Sequence, residues 1–152
     1  EARICGNLFY DCGEAAIKFP TKENEARDNL YVKMPGGYLR VLYPAPEACL
    51  DLKSWQEFYG FDKKGQEGWF EIEVDTEQLI MRCGESEYIP QAFLRMHGKD
   101  GYLKEIREAI PGNTSAEVLT DFTGKVTGDK RIAGPMAEWK RDVWFSIDPR
   151  KK

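Results

Sequence analysis

The sequence predicts a mainly β protein: a short coil of stacked parallel strands, closed by a capping helix and continued into an antiparallel β appendage. Three observations lead there. Residues 7–19, NLFYDCGEAAIKF, return without any insertion 22 positions later as residues 29–41, NLYVKMPGGYLRV. Within each copy, small or apolar residues alternate with polar ones at the two-residue period of a strand. Beyond Gly68 the stretch WFEIEV (69–74) alternates cleanly again, but outside the repeat.

The repeat pairs Asn7 with Asn29, Leu8 with Leu30, Phe9 with Tyr31, Ile17 with Leu39, Lys18 with Arg40, and Phe19 with Val41. Self-similarity at a fixed period of about 20–50 residues marks folds in which each repeat buries its face against its neighbours. Helical repeats fit poorly, because Pro20, Pro35 and the Gly36-Gly37 pair interrupt any useful helix. A leucine ladder is missing as well. Two short strands per repeat remain, Asn7–Tyr10 with Asn29–Val32 and Ala15–Phe19 with Gly37–Val41, joined by turns at Gly13 and at Pro35-Gly36. Stacking like on like about 4.8 Å apart puts Ile17 on Leu39 and Phe19 on Val41. Tyr38 and Arg40 then point outward with Lys18. Asn7 and Asn29 can hydrogen-bond up the ladder as stacked amides.

After the repeat, residues 50–68 predict a short helix. Ser54 serves as N-cap with Glu57 as its capping-box partner, and Gly60 ends it. Trp55, Phe58 and Tyr59 supply its apolar side, so it can cover strand edges that would otherwise be exposed. Further on, QLIMRC and QAFLRM read as strands, GYLKEIREAI (101–110) as a helix or a strand, and DVWFSI (142–147) as a last strand. The expected division is therefore 1–68, the coil end with its helix, and 69–152, the appendage packed on it.

Composition bounds the function. The 152 residues suit one domain, and 41% hydrophobic content with 8 prolines and 14 glycines suits a globular chain. A net charge of −4 argues against nucleic acid as the main partner. No apolar run approaches the ~20 residues of a membrane span. With no initiator Met and no signal-peptide pattern, Glu1 reads as a cut inside a longer chain. Cys5, Cys12, Cys49 and Cys83 lack C-x-x-C spacing, which leaves buried free thiols as the first reading and a single disulfide as the second. No metal site and no cofactor are expected.

The N-L-F-Y and N-L-Y-V stretches at this period resemble right-handed parallel β-helix proteins of the pectate-lyase-like type. Trp55-Gln56-x-x-x-Gly60-x-Asp62 is similar to a segment that follows late turns in many secreted bacterial members, and residues 121–139 resemble their tails. The resemblance implies a C-terminal region of a secreted, periplasmic or cell-surface protein acting on polysaccharide, a glycoside hydrolase or polysaccharide lyase. It also implies upstream turns of coil, with the catalytic residues on them. A non-catalytic carbohydrate-binding or adhesive module, and a purely structural cap, are the alternatives.

The candidate chemistry is correspondingly sparse. Glycoside hydrolysis uses paired carboxylates about 5–9.5 Å apart. Asp11, Glu14, Asp28, Asp51 and Asp62 lie nearest the coil, but nothing in the sequence singles out two, and no catalytic residue is assigned. Lys18 and Arg40, adjacent and outward, repel unless an anion lies between them. A uronate carboxylate would suit, with Tyr38 as a sugar-stacking face; pairing with Glu14 or Glu25 is the ordinary alternative. Of the tryptophans, Trp55 is expected to pin the helix, Trp69 and Trp144 to enter the core, and Trp139 to be the exposed sugar platform. His97, the single histidine, is expected at the surface or in a turn. The expected partners are thus an oligosaccharide or polysaccharide of acidic type, the upstream turns, and a second copy through the open strand edges.

Overall fold

A computed structural model describes residues 1–97, 110–111, 130–131 and 142–151. The described part is mainly β, with two helices and several small sheets. The repeat governs its first half. Strands β1 (Arg3–Cys5), β2 (Leu8–Tyr10) and β3 (Ile17–Phe19) each pair in parallel with a strand of the second copy, β4 (Glu25–Arg27), β5 (Leu30–Val32) and β6 (Leu39–Val41). The registers are Arg3↔Glu25, Leu8↔Leu30 and Ile17↔Leu39, the same 22-residue step in all three ladders. The expected partners Ile17–Leu39 and Phe19–Val41 therefore do meet, and β1–β4 is a third ladder that the sequence reading had not separated.

The amide stack is present too. Asn29 Oδ1 accepts from Asn7 N–H (2.9 Å) and from its side-chain amide (3.3 Å), while Asn29 Nδ2 donates to Ile4 C=O (2.9 Å). Phe9 stacks on Tyr31, with ring centroids 5.3 Å apart and planes within 9°. Beyond the second copy the pattern changes. Strand β8 (Gln66–Gly68) continues the β2–β5 sheet in parallel, whereas β7 (Ala48–Leu50) joins β6 antiparallel.

Helix α1 (Leu52–Tyr59) lies between β7 and β8. Its N-cap is Asp51, whose side chain accepts from Ser54 N–H (2.8 Å), and not Ser54 as the capping-box reading expected. The helix starts three residues early because Asp51 can adopt the extended cap conformation immediately after β7. Gly60 ends it as expected, at φ 69°, where a side chain would be strained. Trp55 is fully buried, stacked on Phe19 and against Phe61 at 4.7 Å.

Two apolar clusters share strand β5. Tyr31 points to one side with Ile17, Phe19, Leu39, Val41, Trp55 and Phe61. Leu30 and Val32 point to the other, against Phe70, Met81 and Cys83. The second cluster lies under an antiparallel sheet in the order β13–β10–β9, formed by β9 (Glu71–Asp75), β10 (Ile80–Gly84) and β13 (Phe145–Ser146). Phe70 and Ile72 join it as the alternation predicts, but Val74 is 49% exposed, near the end of the hairpin. Trp144 precedes β13 and is 46% exposed, contrary to the core position expected for it. Trp69, also expected in the core, is half-buried at its edge.

The segment expected as strand QAFLRM is a helix, α2 (Gln91–His97). Its residues are mostly strong helix formers, Pro90 stands at its entry, and Phe93 and His97 at i and i+4 share one face. Six residues of alternation do not separate the two periods. Short strands β11 (Ile110–Pro111) and β12 (Lys130–Arg131) pair antiparallel. The rest of 101–110 and of the tail 121–139 lies outside the described residues. The four cysteines are free: Cys83 is buried, Cys5 and Cys12 are half-buried, and Cys49 is exposed, so burial holds for only one of them. Burial pushes the Cys83 thiol up to about 12. Among the described residues, no helix is long and apolar enough to cross a membrane.

Candidate functional site

Lys18 and Arg40 are register partners, as the repeat requires. The anion between them belongs to the chain itself. Glu14 Oε1 accepts from Lys18 Nζ (3.0 Å) and from Arg40 Nη1 (3.1 Å), and Glu47 Oε1 lies 3.4 Å from Arg40 Nη1. The hydrogen bond from Lys18, aided by both cations, holds the Glu14 carboxyl below its ordinary range. Tyr38 does not join them. It is 3% exposed, packs against Tyr31 at 5.2 Å, and donates its hydroxyl to Glu67 Oε2 (2.7 Å). The outward position expected for Tyr38 is corrected for a backbone reason. Gly37 sits at φ 68° and the strand begins only at Leu39, so the pleat does not extend back to Tyr38. Trp139, the fourth residue of the expected sugar surface, lies outside the described residues.

The Trp55–Gln56–Gly60–Asp62 segment resolves into structural tasks. Trp55 anchors α1, Gly60 ends it, and Gln56 Nε2 donates to the carbonyls of Asp62 (2.7 Å) and Gly65 (3.3 Å). Asp62, with no exposed surface, accepts from Asn29 N–H (3.1 Å), from Asn29 Nδ2 (3.0 and 3.2 Å) and from the Tyr31 hydroxyl. It thereby extends the Asn7–Asn29 stack. Burial pushes its carboxyl up. Of the acidic residues singled out near the repeat, Glu14, Asp51 and Asp62 are thus engaged in holding the fold.

His97 is not a surface residue. Its Nε2 lies 2.7 Å from Glu67 Oε1, with only 11% of its side chain exposed, and its ring packs on Phe93 at 4.3 Å. Glu67 bridges Tyr38 and His97 and so ties α2 to β8. Among the described residues, no group of three or more His, Cys, Asp or Glu side chains could hold a metal ion.

The face of the hairpin turned away from the core carries an open cleft of about 660 Å³. Register places Glu73 opposite Arg82, and Glu71 opposite Gly84, on this face. A Cβ at Gly84 would stand 3.0 Å from Asp142 Oδ1, so the glycine keeps the floor clear. Glu71 is held from several sides: Oε1 accepts from Ser86 Oγ (2.7 Å) and Lys33 Nζ (3.0 Å), and Oε2 accepts from the Tyr10 hydroxyl (2.9 Å). The Ser86 hydrogen bond first, then Lys33, keeps the Glu71 carboxyl below its ordinary range, while Glu71 in turn raises Lys33. Trp69, Tyr88, Glu85, Glu87 and Asp142 complete the wall. Five carboxylates face two cations here. The signal for this site was in the sequence, since the alternation of WFEIEV set Glu71 and Glu73 on one face. What it lacked was the other wall, supplied by Lys33 and by residues 85–88. No family model matches the chain, and no curated protein or solved structure is significantly similar to it.

Proposed function

We propose that this chain is the end of a right-handed parallel β-helix protein of the secreted, polysaccharide-active kind, where it finishes the coil and holds sugar without breaking it. The observation that carries the reading is the common 22-residue step of three parallel ladders, which is what successive turns of one coil require. Helix α1 and the antiparallel sheet would then close and cover the coil. The parent would be a glycoside hydrolase or polysaccharide lyase with its reacting carboxylates on earlier turns. Support for a holding role is that Glu14, Asp51 and Asp62 already serve the fold, while the hairpin cleft offers carboxylates and aromatic rings to solvent. Lys18 and Arg40 are a weaker candidate for a uronate, because Glu14 already neutralises them.

A glycan array probed with the chain tests the holding role. Retention of at least one oligosaccharide class is expected; retention of none leaves only a structural cap. Product analysis of the full-length parent on polysaccharide separates the two chemistries, since a lyase releases unsaturated uronates and a hydrolase does not. A parent that cleaves no polysaccharide sinks the enzymatic part.

A further inference from the structure

We propose that the edge of strand β2 is a self-recognition surface, on which a second copy of the chain lays its own β2 antiparallel about a two-fold axis at Phe9. The proposal goes beyond the sugar-holding reading and does not depend on it. Two hydrogen bonds fix which way β2 is turned: Asn7 C=O accepts from Leu30 N–H (2.8 Å), and Asp11 N–H donates to Val32 C=O (2.9 Å). The backbone of residues 7, 9 and 11 thus faces β5, and by alternation Leu8 and Tyr10 turn both N–H and C=O the other way. Among the described strands, none pairs with that edge. The Tyr10 carbonyl has the Cys12 thiol beside it at 3.8 Å, a weak donor. Edge strands are commonly blunted by a charge, a proline or a bulge. Strand β1 carries Arg3 and β3 carries Lys18, both exposed, whereas Leu8-Phe9-Tyr10 carries no charge. Of the three edges, β2 is the unguarded one.

The register follows from that spacing. With Phe9 opposite Phe9 of the second copy, Leu8 stands opposite Tyr10 and Tyr10 opposite Leu8. Both are hydrogen-bonded pairs of an antiparallel ladder, so the outward N–H groups of both copies all find a carbonyl. A slip by two residues sets Leu8 or Tyr10 opposite itself and leaves the other without a partner in the strand. Phe9 with Phe9 is a non-hydrogen-bonded pair, the closer kind, so the stack of Phe9 on Tyr31 continues into the second copy. Both apolar clusters reach this edge with half-buried members, Ile4 and Phe9 on one side of β2 and Leu8 and Tyr10 on the other. Pairing makes each cluster continuous across the two-fold and removes that remaining apolar surface from water. Charge does not oppose it, because Asn7 falls opposite Asp11 of the second copy and no like charges meet along β2.

Sedimentation velocity over a concentration series tests this on the chain as it stands. A monomer–dimer equilibrium is expected, with no larger species, because an isologous contact closes at two copies. Tyr10→Pro removes one outward N–H per copy and leaves the β2–β5 ladder intact, since proline is tolerated on an open edge. It should weaken dimerisation about tenfold or more. Tyr10→Phe loses only the hydroxyl bonded to Glu71 and should dimerise like the parent. The unaltered chain supplies a second reading that no folding defect can spoil. In a mixture of isotope-labelled and unlabelled copies, filtered NMR spectra should connect the Phe9 Hα of one copy to the Phe9 Hα of the other. A strict monomer at every soluble concentration overturns the proposal, and so does growth beyond two copies. Full dimerisation of a folded Tyr10→Pro variant, or a dimer whose contacts between copies lie away from Phe9, overturns it as well. A monomer whose edge pairs only when an upstream segment is supplied makes a turn of coil the occupant instead. None of these outcomes touches the sugar-holding reading.

Discussion

Asp62 behaves against the usual sign of a structural carboxylate. Its hydrogen bonds from Tyr31 and Asn29 favour the charged form, yet the loss of solvent outweighs them and pushes its pKa above the unfolded value of 3.8. Between 3.8 and that raised value, the folded chain holds a proton that the unfolded chain has released. Its contribution is therefore most favourable at low pH, declines as pH rises through that window, and stays level above it. Asp62→Asn removes this dependence while keeping the shape. Urea midpoints measured from about pH 4 to pH 7 should show the variant gaining on the parent as pH rises. A parent that gains on the variant over that range contradicts the argument. Asp62→Ala is a different case, because it strands the Asn29 amide and the Tyr31 hydroxyl in the interior. It should cost about 3 kcal/mol near pH 7, the scale of breaking a buried polar network, and more at low pH, where the parent gains from the raised Asp62 carboxyl.

Helix α1 shows how local and tertiary signals divide. Asp51→Ala removes the side chain that caps the helix and should cost about 1 kcal/mol, whereas Ser54→Ala, at the position the capping box favoured, should cost close to nothing. Equal losses in a thermal melt would mean that Ser54 shares the cap. Trp55→Ala should cost about 3–5 kcal/mol, since its ring joins α1 to Phe19 and Phe61 in the interior. The helix, its apolar anchor and its glycine stop were legible because each is a short-range pattern. The three-residue error at its start arose because Asp and Ser are both good caps, and only the path out of β7 chooses between them. The 22-residue register was legible for the same reason as the helix: repetition carries a long-range pairing inside a local comparison. Tyr38, α2 and the cleft were not. Tyr38 turns inward through one glycine dihedral. His97–Glu67 and Tyr10–Glu71 join residues 30 and 61 positions apart with no repeat to announce them.

At the scale of the whole molecule, the repeat ladders are unequal on their two sides. Strand β5 is paired on both edges, with β2 and with β8, and buried on both faces. Among the described strands, β1, β2 and β3 each stand at the edge of their own sheet. In a parallel ladder only alternate amides of an edge strand face its neighbour. The Asp11 N–H does so, donating to Val32 C=O (2.9 Å), and by alternation the amides of Leu8 and Tyr10 turn to the open side. An edge of that kind is a template for another strand, whether an upstream turn of coil or a second copy of the chain. Hydrogen exchange at two protein concentrations reads this directly. The amide of Tyr31 should be among the slowest, Asp11 intermediate, and Leu8 and Tyr10 fast in dilute solution. Raising the concentration should slow Leu8 and Tyr10 while leaving Tyr31 unchanged. If Leu8 and Tyr10 exchange as slowly as the hairpin amides of residues 71–74 in a strict monomer, the edge is already covered, and neither an upstream turn nor a second copy is needed to complete it.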